Sequence, residues 1–314
     1  MTSRAESATA GTGGFEHHGV FFDSARDLRE AVLPVLRTAL DASEHVVVAV
    51  SERLRDDIRC TLDAAESATV RFADRTALYD APGRTVAALH RLARAEPRRV
   101  TVVGEPVLPP HDPMELREWH RLDSALMTAL SDVRMRLLCL HDSRTTPADV
   151  LESARSTHPV LLTCGGSRAN PDYRSTPLVP DAAHALPPPA GETRRLDIHS
   201  DLPSLREEVR DLAAETGLPG PRIGDLVVAV NELSANVLEH GAGKGTVTMW
   251  HAAGRMICEV FDECGDLTDP LSGYHPADPL SPRGYGLWIT RQVCDFMEIS
   301  GGSRGSLVRM YFRL

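Results

Sequence analysis

The sequence predicts two folded domains, an N-terminal α/β domain with a mainly parallel sheet and a C-terminal α+β sandwich. Three observations predict this. The chain has 314 residues, about two domains' worth at about 100–200 residues each. Its first half alternates continuous apolar runs with amphipathic stretches, the pattern of parallel strands covered by helices on both faces. A stretch rich in Pro, Ala and Gly at 165–194, including Pro187, Pro188 and Pro189, carries no apolar period, and after it the helices and alternating strands fall into separate groups. The divisions are therefore a disordered tail at 1–14, an α/β domain at 15–164, a semi-rigid linker at 165–194 and an α+β domain at 195–314.

Within the first domain, the runs at 19–22, 46–50, 69–72, 100–103 and 136–140 read as strands, and 25–42, 85–95 and 113–130 read as helices. Ser51, Glu52, Asp74, Glu105, His141 and Asp142 fall at the carboxyl ends of these strands, where open α/β sheets bind ligands. They suit a pocket for a small molecule or partner, and they equally suit the caps and turns that polar residues favour. His17 and His18 enter the first strand. The run after 46–50, Ser-Glu-Arg-Leu-Arg, has neither the glycines nor the lysine of a phosphate loop.

In the second domain Ser200 or Asp201 caps a helix with Pro203 in its first turn, Leu205, Val209 and Leu212 on one face, and Gly217 at its stop. A second helix follows at about 223–239. Stretches 246–250 and 256–261, joined by a turn around Gly254, form an antiparallel pair. Helix 286–294 precedes strands 297–300 and 307–314, the last placing Val308, Met310, Phe312 and Leu314 on one face.

The composition sets limits. With 34 basic and 44 acidic side chains the formal charge is −10, which opposes a sequence-independent grip on nucleic acid phosphates. No run approaches the roughly 20 apolar residues of a membrane span, and 1–14 lacks a signal peptide's apolar core, so a cytoplasmic protein is expected. The six cysteines, Cys60, Cys139, Cys164, Cys258, Cys264 and Cys294, have none of the short spacings of zinc knuckles. Buried reduced thiols are expected.

Placed on a wheel of about 100° per residue, helix 223–239 puts Ile223, Leu226, Val227, Val230, Leu233 and Val237 in one stripe, with Asp225, Glu232, Asn236 and Glu239 nearly opposite. Glu232 and Asn236 are one turn apart. Further on, a strand ends in Phe261-Asp262-Glu263-Cys264-Gly265. Arg283-Gly284-Tyr285-Gly286-Leu287 opens a helix, where free backbone N–H groups favour an anion, and Gly305-Ser306 precedes the last strand.

In this order and spacing the last ~120 residues resemble the GHKL (Bergerat) ATP-binding domain of gyrase, histidine kinases and mismatch-repair ATPases, and among these the anti-sigma factor serine kinases of the RsbW type. Glu232-Leu-Ser-Ala-Asn236-Val-Leu-Glu-His240-Gly241 resembles the first box, Asp262 and Gly265 the second, Gly284-Tyr-Gly286-Leu287 the third, and Gly305-Ser306 the last. The first domain, through His17, Arg71-Phe72-Ala73-Asp74, Gly104-Glu105-Pro106 and Leu138-Cys139-Leu140-His141-Asp142, resembles the MEDS-type sensory domain of RsbA-like regulators.

The resemblance implies ATP and Mg²⁺ as cofactors. Asn236 would hold Mg²⁺, and Glu232 would be the catalytic carboxylate that takes the proton of an attacking serine hydroxyl. Asp262 would accept from the adenine amino group, Gly265, Gly284, Gly286, Leu287 and Gly305 would shape the nucleotide site, Arg283 would neutralise γ-phosphate charge, and Ser306 would seat the base. The implied function is a protein serine/threonine kinase acting as an anti-sigma factor in transcription regulation and stress response. Its partners would be a sigma factor and a STAS-type anti-sigma factor antagonist, with a small-molecule ligand for the first domain, no direct nucleic acid or membrane partner, and a homodimer left open. The alternative is a non-catalytic binding module that sequesters a sigma factor or antagonist with a degenerate nucleotide site, because two residues rather than one separate Asp262 from Gly265.

Two features are set aside. Gly241-Ala-Gly243-Lys244-Gly245-Thr246 imitates a phosphate loop but runs from helix to strand, with Leu238 where its first glycine belongs. It is expected to be a turn. His240 is expected to be a cap or packing residue, and histidine-kinase chemistry is excluded because the prolines stand where its phosphoacceptor hairpin would be.

Overall fold

The computed structural model describes residues 14–107, 112–175, 186–264, 267, 269, 271–276, 285–303 and 305–314. Two compact units emerge. One holds the chain up to Arg75, His90–Pro106 and Leu126–Tyr173; the other holds Thr76–Leu89, Val107–Ala125 and Arg174–Leu314.

The first half of the chain runs β1 (Glu16–Phe22), α1 (Ala25–Asp41), β2 (His45–Ala49), α2 (Glu52–Arg59), α3 (Ala64–Thr69), β3 (Arg71–Phe72), α4 (Arg75–Leu78), α5 (Pro82–Ala95), β4 (Val100–Gly104), α6 (Pro113–Ala129), β5 (Met135–Asp142), α7 (Ala148–Thr157), β6 (Val160–Thr163) and β7 (Gly166–Ala169). The sheet order is β3-β2-β4-β5-β1-β6-β7, and every pairing is parallel except β6 with β7. The expected α/β class is thus present. Ser24 starts α1 by accepting a hydrogen bond from the Asp27 N–H at 3.1 Å. Helix α1 then presses Leu28, Val32 and Leu36 onto Val20, Val48 and Leu138 of the sheet.

Two local expectations are corrected here. The strand expected at 69–72 shrinks to β3, because Asp63 and Glu66 close a capping box that starts helix α3 and carries it to Thr69. The stretch 165–194, expected to lack regular structure, opens with β7, a strand exposed along its whole length, so no apolar alternation marks it.

The second half runs β8 (Thr193–Ile198), α8 (Leu202–Ala214), α9 (Gly220–Glu239), β9 (Gly245–Ala252), β10 (Arg255–Asp262), α10 (Gly286–Val293), β11 (Phe296–Gly302) and β12 (Gly305–Arg313). Its five strands lie in the order β11-β12-β10-β9-β8 and are antiparallel throughout. Asp201 caps α8 by accepting from the Ser204 N–H at 3.2 Å. Ala253 and Gly254, both with positive φ, make the two-residue turn between β9 and β10 that matches strand twist.

One face of this sheet carries Val247, Cys258, Met310 and Phe312 against Leu205, Val209, Leu226, Val230 and Leu233 of α8 and α9. The opposite face is also apolar in part: Trp250, Ile257, Phe296 and Tyr311 cluster there with Met114 of α6, beside a buried Arg309–Glu259 ion pair. Val308, Met310 and Phe312 share the core face as expected, whereas Leu314 follows the last strand, which ends at Arg313, and is 48% exposed. Strand β8 was not anticipated, because five of its six residues are only partly buried or exposed.

Leu226 is fully buried in this core. Leu226→Ala is expected to cost about 2–5 kcal/mol, read as a lower denaturant midpoint with an unchanged slope. Among the described residues no helix is long and apolar enough to cross a membrane.

Candidate functional site

A cavity of about 240 Å³ opens between α9, β10, α10 and the start of β12. Its apolar walls are Leu233, Val237, Val260, Leu267, Leu287 and Val308, and its polar lining includes Asn236, His240, Asp262, Cys264 and Ser306. The volume lies somewhat below the roughly 300 Å³ of pockets for drug-sized ligands. It suits one ring system with a polar tail reaching outside.

Chain topology brings these residues together. Antiparallel pairing of β10 with β12 sets Asp262 opposite Ser306, and pairing with β9 sets it opposite Gly245. Helix α9 is fixed in rotation by its buried stripe of Leu226, Val227, Val230, Leu233 and Val237, which turns Asn236 toward the cavity. The rest of its polar stripe is spent differently. Asp225 receives a hydrogen bond from Arg222 at 2.6 Å, and Glu239 is exposed.

Close approaches explain three glycines. A Cβ on Gly286, the first residue of α10, would lie 2.9 Å from Asn236 Nδ2, so the helix start abuts the amide. A Cβ on Gly241 would lie 1.9 Å from Asp262 Oδ2, and one on Gly305, whose φ is +124°, would lie 2.4 Å from the Asp262 carbonyl oxygen. Asp262 Oδ1 accepts from the Ala242 N–H at 2.9 Å and the Cys264 N–H at 3.0 Å. Its carboxylate therefore ties the turn after α9 to the end of β10. Ser306 Oγ accepts from the Leu267 N–H at 3.1 Å, holding that backbone over the cavity.

Of the residues singled out in the sequence, Asn236, Asp262, Leu287 and Ser306 line the cavity, and Gly286 and Gly305 pack directly behind two of them. Glu232 does not line it. It stands one turn before Asn236, partly buried, with Asn231 Nδ2 3.5 Å from its Oε1. Gly265, Arg283 and Gly284 lie outside the described residues. Sequence reasoning missed His240, Gly241, Cys264 and Leu267 as lining residues; His240 does end α9, as expected, but also borders the cavity. The 241–246 segment is indeed a helix-to-strand turn, with Gly243 at φ +74°.

At the strand ends of the first unit the polar groups satisfy one another. The Ser51 N–H donates to Glu105 Oε2 at 2.6 Å, and Arg75 pairs with Glu105 at 2.9 Å. Asp142 accepts from Arg144 at 2.8 and 2.9 Å and from Arg53 at 2.7 Å. Pairing with Arg144 holds the Asp142 carboxyl well below the usual carboxylate range, against the opposing effect of burial and with help from Arg53. A lowered folded-state pKa contributes its full stabilisation above the unfolded value of about 3.9; the contribution declines below that pH and is gone only once pH has fallen through the lowered folded value. Asp142→Asn is expected to cost about 1 kcal/mol near neutrality, the arginines being half in solvent, and to cost progressively less as pH falls below about 4. Thermal melts of both proteins across that range check this.

Two families match the chain. Residues 16–159 match MEDS, the methanogen/methylotroph DcmR sensory domain, and residues 198–312 match the histidine kinase-like ATPase domain. No curated protein matches it. Among solved structures, that of the RsbU and RsbW domains of Rv1364c from Mycobacterium tuberculosis is similar at 20% identity over 40% of this chain, with a TM-score of 0.30. The chain spans about a third of that one, 33% of its length. The second family's span contains the whole cavity, from Leu233 to Val308, and its antiparallel sheet under paired helices is the GHKL arrangement. This chain therefore joins a sensory domain of the MEDS family to an ATPase domain of the histidine kinase-like, GHKL type.

Proposed function

We propose that the chain is a cytoplasmic anti-sigma regulatory factor that transfers the γ-phosphoryl group of ATP to a serine of a STAS-type antagonist, with its N-terminal domain setting the switch in response to a ligand. The observation that carries this reading is the convergence of Asn236, Asp262 and Ser306 on one apolar-walled cavity, with Glu232 one turn before Asn236 on the same helix.

The residues fit the nucleotide. Leu233, Val260, Leu267 and Val308 offer a slot for a flat aromatic base, and Asp262 supplies an acceptor at its wall for an exocyclic amino group. Asn236 presents an amide oxygen, a ligand suited to a hard cation, next to the start of α10, where backbone N–H groups favour phosphate. When bound, Mg²⁺ would draw charge from the phosphates. Glu232 would take the proton of the serine hydroxyl as its oxygen bonds to the γ-phosphorus and the bond to the ADP oxygen breaks. Incubation with labelled ATP, Mg²⁺ and the cognate antagonist is expected to leave label on serine; bound ATP with no transfer rejects the kinase assignment.

A second reading has one observation in its favour. Asp262 Oδ1 is already engaged by two backbone N–H groups, as in a turn-capping acid, and a domain using it only so would bind a sigma factor or antagonist without turnover. Glu232→Ala separates the two: it abolishes transfer under the first and leaves partner exchange unchanged under the second.

A further inference from the structure

Three side chains without a role in the reading above meet inside the first unit. They are His17 on β1, Cys139 on β5 and His158 between α7 and β6, exposed to 0%, 2% and 0%. Strand β1 lies between β5 and β6 in the sheet, and Cys139 stands in register with Gly19. His17 and Gly19 share a face of β1. A Cβ on Gly19 would lie 3.0 Å from Cγ and 3.1 Å from Cβ of His158, so glycine is what lets the His158 ring lie over the strand beside His17. The two rings have centroids 4.0 Å apart, and His17 Nε2 is 3.4 Å from Cys139 Sγ.

One ligand atom from each of the three lies within 4.8 Å of the others. Zinc bonds of about 2.0–2.3 Å at tetrahedral angles place ligand atoms about 3.3–3.7 Å apart, so the nitrogen–sulfur pair already has that spacing. His158 Nδ1 donates to the Ala154 carbonyl oxygen at 2.6 Å. This contact fixes the tautomer with its lone pair on Nε2, the outer support that metal-binding imidazoles characteristically have. Two imidazoles and a thiolate form a borderline-soft set that favours Zn²⁺ or a similar transition metal over Mg²⁺ or Ca²⁺.

We propose that His17, Cys139 and His158 bind one transition-metal ion of the Zn²⁺ class in the core of the N-terminal domain. Binding converts the Cys139 thiol to a thiolate and releases its proton to solvent. This claim is independent of the nucleotide site.

The test uses the full chain, unfolded with chelator and reductant, freed of both, and refolded with Co²⁺. The expected result is one Co²⁺ per chain with a thiolate-to-cobalt charge-transfer band, bleached by Zn²⁺. Cys139→Ser should lose the band and His158→Gln should bind Co²⁺ at least about tenfold more weakly, while Cys60→Ser, which alters an exposed thiol, keeps both. Absence of the band in refolded wild type, or its persistence in Cys139→Ser, overturns the proposal. Should either variant fail to refold, X-ray absorption on the wild type decides alone: one sulfur and two imidazole neighbours support the site, and any other set refutes it.

Discussion

Asn236→Ala is expected to weaken Mg-ATP binding about 10- to 100-fold while leaving the ligand-free melting temperature nearly unchanged. The amide makes one ion–dipole contact to the metal under the proposed function, worth about 1.5–3 kcal/mol for a hydrogen bond or ligand facing a charge, and each 1.4 kcal/mol is about tenfold in affinity. Stability should survive because the core-facing side of α9 is made by Leu226, Val230, Leu233 and Val237, none of which the substitution touches. Titration calorimetry of both proteins gives the ratio directly.

Glu232→Gln is expected to behave in the opposite sense, lowering the rate of phosphoryl transfer by about 10²–10⁴ with Mg-ATP affinity held within about twofold, below the 1.4 kcal/mol that a tenfold change requires. Gln keeps the shape and hydrogen-bonding length of Glu but cannot accept the proton. Glu232 stands off the cavity lining, which is why binding is spared. Single-turnover transfer with saturating ATP, set beside a binding titration, measures the two effects separately. A variant that lost binding and transfer together would place Glu232 in nucleotide recognition instead.

The contrast between these variants follows from a feature legible in the sequence. Helix α9 announces itself through the spacing of Leu226, Val230, Leu233 and Val237, and a helix with one apolar stripe has only one way to face a core. That single constraint puts Asn236 at the cavity. Two glycines of the later boxes then mark local backbone requirements beside the cavity: Gly286 an approach to an amide, Gly305 a positive φ beside Asp262.

What was not legible depends on distant approaches or on weak local signals. Gly241 is shaped by Asp262, twenty-one positions away in the chain, and only the closing of β9 on β10 brings them together. Cys264 and Leu267 line the cavity from a part of the sequence that carries no periodicity. Strands β7 and β8 carry few buried side chains and so lack alternation. His17, Cys139 and His158 have no motif spacing at all; His17 and Cys139 are separated by 122 positions, and the strand order of the first sheet makes them neighbours. The strand-end polar residues read as a pocket or as caps prove, for Ser51, Glu105 and Asp142, to be engaged with one another and with arginines.

If the cavity beside Asn236 and Asp262 receives the base of ATP, calorimetric titration of the full chain with Mg-ATP and then Mg-GTP will show it. One ATP site per chain and markedly weaker GTP binding are expected, because guanine would turn a carbonyl oxygen toward the Asp262 carboxylate where adenine offers an N–H donor. No ATP binding, or equal affinity for the two nucleotides, would contradict this placement of the base.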